Sequence, residues 1–123
     1  MRSRFFSWKA FAIVWFSLIT ILFFLPGSAL PKENWLGDIY FDKWVHFGFF
    51  AVLLFSWAAA FEVRSKWMWL LLAAIVYGAA VEFIQRDWVP NRDFDLYDLL
   101  ADTLGAIAGL VVWLRVYKKN KPL

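Results

Sequence analysis

Five polar residues lie within stretches otherwise built almost wholly of apolar side chains: His46, Glu82, Gln85, Asp98 and Asp102. Imidazoles and carboxylates are the groups that move protons near neutral pH or hold divalent cations. Each ionisable one costs at least ~2.5 kcal/mol near a bilayer centre on insertion scales. Asp98, Asp102, Gly105 and Gly109 are separated by four, three and four residues. At about 100° per residue they share one narrow stripe of a helix. Gly78, Glu82 and Gln85 form a second such stripe, and Asp42 and His46 lie one turn apart, with Lys43 beside them. His46 and Glu82 are the candidate base and acid. Asp42, Lys43, His46, Glu82, Gln85, Arg92, Asp98 and Asp102 are the candidate binding residues. Arg92 can turn a bidentate fork onto a carboxylate or a phosphate.

Each residue also has a plainer reading. His46 can be hydrogen-bonded to a carboxylate on a neighbouring helix, and Glu82 can pair with Lys43 or Arg92. Gln85 suits an interhelical hydrogen bond, and the Gly105/Gly109 pair suits close helix packing. Asp93 and Asp95 read as solvated loop charges, although Asp95 can also cap a helix. The acids outnumber the cations, so either a carboxyl carries a proton or something positive binds. His46, Glu82, Asp98 and Asp102 are residue types that suit Zn²⁺ or Mn²⁺. Their spacing shows no coordination distance, however, and neither a metal nor a cofactor is assigned.

The elements that must position these groups follow from composition. The chain has 123 residues, 63% hydrophobic and 22% aromatic, with nine Trp. A single water-soluble domain of that make-up lacks the polar surface to cover itself, and disorder is excluded. With no cysteine, disulfides, thiolate metal sites and Cys nucleophiles are excluded. Four apolar stretches, at about 8–25, 45–61, 67–85 and 96–114, approach or reach the ~20 residues that a transmembrane helix needs. None alternates as barrel strands do. The expected architecture is an all-α, four-transmembrane-helix bundle forming a single domain over 1–123. A tight turn spans 62–66, and loops with Pro26, Gly27, Pro31 and Gly37, and with Pro90, join the remaining helices.

Nine of the thirteen Lys and Arg lie at the N-terminus, in the 62–66 turn and in the tail, whereas nine of the ten acids lie toward the opposite ends. The positive-inside rule then puts both termini in the cytoplasm. Trp8, Trp67 and Trp113 mark the inner boundary, and Trp44 and Trp88 the outer one. A rival reading takes Arg2, Arg4 and Lys9, the first apolar run and Gly27 to Ala29 as a cleavable signal peptide. The terminal basic clusters read as topology signals and lipid-headgroup contacts rather than nucleic-acid sites.

D-K-W-V-H (Asp42 to His46), Y-G-A-A-V-E-F-I-Q (Tyr77 to Gln85) and R-D-F-D-L-Y-D-L-L-A-D-T-L-G-A-I-A-G (Arg92 to Gly109), in that order at span boundaries, resemble the VanZ-like family of small bacterial membrane proteins. The turn L-P-G-S-A-L-P (Leu25 to Pro31) fits as well. The resemblance covers roughly residues 15–112. It implies a four-helix protein of the bacterial plasma membrane, and its namesake is linked to reduced susceptibility to the glycopeptide teicoplanin. By motif, Asp42, Lys43, His46, Glu82, Gln85, Arg92 and Asp98 match the family's polar positions. The family usually has Asn where this chain has Asp102, an added carboxylate that bears on what binds.

Three functions fit these observations. The first is a non-enzymatic envelope protein whose outward polar pocket binds an amphiphilic ligand or partner. The second is a membrane-embedded enzyme in which His46 and Glu82 act on a phosphate-bearing, lipid-linked substrate held by Arg92. The third is a proton-coupled transporter using Glu82 and Asp102, which with four helices per chain requires a homo-oligomer. No Ser-His-Asp elbow, phosphate-binding loop or paired-His motif is present.

Overall fold

The computed structural model describes residues 7–25, 41–89 and 95–120, without the side chains of 41 and 118–120. Arg92, Asp93, the proline- and glycine-bearing loop at 26–40, and the basic residues Arg2, Arg4 and Lys121 lie outside the described residues. Four helices are present among the described residues: α1 (Trp8–Phe23), α2 (Phe41–Phe61), α3 (Trp67–Trp88) and α4 (Leu96–Asn120).

Their ends have local causes. Ser7 caps α1 by accepting the Ala10 N–H at 3.2 Å. After α2, Glu62 takes a left-handed φ of 50°, and the Val63 N–H turns back to the Ala58 carbonyl at 3.0 Å. Asp95 caps α4: its Oδ1 accepts the Tyr97 N–H at 2.9 Å, and its carbonyl accepts the N–H groups of Asp98 and Leu99. Three helices outrun their apolar stretches. α2 begins at Phe41, a turn early, α3 continues to Trp88 and α4 to Asn120. Polar side chains such as Asp42 and Arg86 extend a helix without extending its apolar face. α1 instead stops at Phe23, short of Leu25.

α2, α3 and α4 are each long and apolar enough to cross a membrane, whereas α1, at 16 residues, is a shorter apolar helix. α2 is central. It packs against α1 and α3, and most extensively against α4, which also meets α3. The α2–α4 approach depends on Gly105 and Gly109, because a Cβ at either would strike the backbone of Phe47 or Ala51. Ile19, Phe23, Phe50, Leu54 and Val81 fill the core between the helices. Indole N–H groups tie distant segments, from Trp15 to the Phe49 carbonyl at 3.0 Å and from Trp113 to that of Val63 at 2.8 Å.

The outer surfaces are apolar as well. Val14, Ile21, Met68, Trp69 and Val76 are each at least 60% exposed. Such exposed apolar faces match a hydrocarbon solvent rather than water.

Candidate functional site

The polar residues gather at one end of the helices, where α1 ends, α2 begins, α3 ends and α4 begins. α2 turns Lys43 and His46 toward α4: Lys43 lies one turn before Phe47 and His46 next to it, and Phe47 and Ala51 are the positions that rest on Gly105 and Gly109. The same stripe of α4 presents Asp98 and Asp102. The glycine contact therefore fixes the distance at which imidazole and carboxylates meet.

His46 is 7% exposed. Its Nδ1 lies 2.7 Å from Asp102 Oδ1, and its Nε2 faces Asp98 Oδ2 at 3.5 Å. The Phe23 ring stacks on the imidazole, with centroids 5.0 Å apart. Asp102, 1% exposed, aims its Oδ2 toward α3, where a Cβ on Gly78 would come within 3.0 Å of that oxygen. Gly78 thus makes room for the added carboxylate.

Among the described residues, Lys43 supplies a cation to the cluster. Its ammonium meets Asp95 Oδ2 at 2.6 Å and Asp98 Oδ1 at 3.1 Å, and also pairs with the exposed Asp42. Burial alone would raise the Asp95 carboxyl. The Lys43 ammonium and the Tyr97 N–H hold it below the usual carboxylate range instead.

Glu82 is wholly buried. Its Oε1 accepts the Asp95 N–H at 3.0 Å, while Oε2 accepts no hydrogen bond among the described residues. Asp102 Oδ2 is likewise without a hydrogen bond there. Such buried acceptors are expensive in an apolar interior. Gln85, also buried, donates to the Phe23 carbonyl at 2.6 Å, closing the α1 terminus onto α3.

The cluster therefore unites His46, Glu82, Asp98 and Asp102 in its interior, with Lys43 beside them and Asp42 at its rim. Gln85 sits one turn on from Glu82 and serves the α1 end. Two participants escaped sequence reasoning. Asp95, read as a solvated charge or a cap, is the cap and also a half-buried partner of Lys43 and Glu82. Its signal was available: it extends the Asp98–Asp102 stripe back by one turn. Phe23 gave no signal, because its place over His46 depends on how α1 meets α2.

Chemically, the Asp102–His46 pair orients an imidazole whose second nitrogen faces a carboxylate. One ring nitrogen and a carboxylate oxygen each from Glu82 and Asp98 all lie within 4.8 Å of one another. A family model described as VanZ/LLP1 matches residues 2–117 of the chain. No curated protein and no solved structure matches it.

Proposed function

The chain belongs to the VanZ/LLP1 family, and from that membership we propose a multi-pass protein of the bacterial plasma membrane, with both termini cytoplasmic, whose outward polar cluster binds an amphiphile of the cell envelope. The observation that carries this reading is Glu82: a fully buried carboxylate with an oxygen that accepts no hydrogen bond among the described residues. An apolar side chain of similar volume would pack there at lower cost. A group so disposed favours a binding role over a structural one. The amphiphile would place its polar head at the cluster and its apolar part along the exposed faces of the helices.

A second reading, an enzyme acting on a phosphate-bearing lipid-linked substrate, is favoured by one further observation. Asp102 holds His46 as an orienting carboxylate holds a general base. In both readings the cluster modulates the envelope, with glycopeptide susceptibility as the trait to follow.

The test is teicoplanin susceptibility in bacteria producing wild-type protein or the Glu82→Gln variant at equal membrane levels. Wild type is expected to lower susceptibility and the variant to lose that effect. Equal susceptibility of cells with wild type, with the variant and with empty vector would overturn the glycopeptide link. Equal protection by both proteins would remove Glu82 from the function.

A further inference from the structure

His46 Nδ1 faces the Asp102 carboxylate at 2.7 Å, and in the tautomer that donates to it the ring proton lies on that side. Nε2 then points at Asp98 Oδ2, 3.5 Å away. In that neutral tautomer both atoms are acceptors, and their lone pairs oppose each other unless a proton or a cation lies between them. In a tetrahedral site with bonds of about 2.0–2.1 Å, neighbouring ligand atoms stand roughly 3.3 Å apart. The His46–Asp98 separation is close to that edge length. Glu82 supplies the independent observation, since it is wholly buried, has an oxygen without a hydrogen bond, and reaches within 4.8 Å of both partners. Lys43 does not serve Glu82. Its ammonium pairs with Asp42, Asp95 and the other oxygen of Asp98.

We propose that His46 Nε2, Glu82 and Asp98 bind one divalent transition cation, Zn²⁺ or Mn²⁺, with Asp102 orienting the imidazole from behind. One nitrogen and two carboxylate donors suit these ions, whereas Mg²⁺ resists giving up its water for such a buried set. A carboxylate on the far nitrogen of a metal-binding His is the common supporting arrangement. Three protein ligands leave a coordination position for an oxygen of the bound head group. The inference rests on the reading of this cluster as the ligand-binding end and names what binds there first.

The full-length protein, purified in detergent and stripped with chelator, is dialysed against Zn²⁺ or Mn²⁺ and its metal content measured. About one equivalent per chain is expected, together with a rise in the wild-type unfolding temperature on adding the ion. Glu82→Gln and Asp98→Asn should each weaken binding by more than about tenfold, and Asp102→Asn by about 10–100-fold. Asp87→Asn, on the exposed Arg86 pair, should bind as wild type. Wild-type protein that takes up less than about a tenth of an equivalent and gains no thermal stability overturns the proposal. So does a folded Glu82→Gln variant with wild-type affinity. Absence of metal with glycopeptide protection intact refutes this inference alone, while stoichiometric metal without protection refutes the glycopeptide link alone.

Discussion

Lys43 holds three carboxylates together where α2 and α4 meet, so its removal leaves like charges facing one another in a partly desolvated site. Lys43→Ala is expected to destabilise the protein by about 2–3 kcal/mol, less than a fully buried pair because water reaches this one. Denaturant unfolding in detergent would measure it, and a wild-type midpoint would refute the network's role. Asp95 adds a pH dependence. Its carboxyl lies lower in the folded chain than in the unfolded one, so its contribution is complete above the ordinary Asp value of about 3.9 and is lost as pH falls through the folded value. The unfolding temperature should therefore drop below about pH 4, and Asp95→Asn should flatten that part of the profile. At this scale the sequence identified the participants by helical phase, since Asp98, Asp102, Glu82 and His46 all face inward. It could not identify their pairings. Whether Glu82 meets Lys43 or the Asp95 N–H depends on helix rotation by a fraction of a turn.

Helix packing turns on two glycines. A Cβ at Gly105 or Gly109 would drive into the backbone of α2, whereas one at Gly48 meets nothing within 4 Å. Gly105→Ala is accordingly expected to cost about 1–3 kcal/mol by overpacking. It should also weaken the cluster, because the same contact sets the His46–Asp102 distance. Gly48→Ala should stabilise by about 0.5–1 kcal/mol through helix propensity alone. Paired unfolding measurements should give opposite signs, and equal effects would contradict the assigned interface. The G-x-x-x-G spacing announced a close helix contact but not its partner, because phase gives a direction on one helix and no address on another. Three of the helices extend past the expected spans for a related reason. Hydropathy marks where a helix is apolar, and α2 and α3 remain helical through Asp42 and Arg86.

Across the whole molecule, the four helices were legible because apolar runs of that length have few alternatives. Their orientation is a proposal from the distribution of basic residues. The chain has no cysteine, so single substitutions report location cleanly. In intact spheroplasts, Asp42→Cys should react with a membrane-impermeant maleimide and Arg64→Cys should not; the reverse pattern would invert the topology. The length of α1 has its own consequence. Its 16 residues cover about 24 Å at 1.5 Å per residue, short of a hydrocarbon core of ~30 Å. It lies along α2 from Phe55, beside Trp8, to His46, beneath Phe23. In the proposed four-span arrangement the bilayer must thin around this helix, which would draw water and head groups toward the Phe23 end and hence toward the cluster. Acyl-chain length would then act on the site: thin membranes would open it to the aqueous phase and thick ones would seal it.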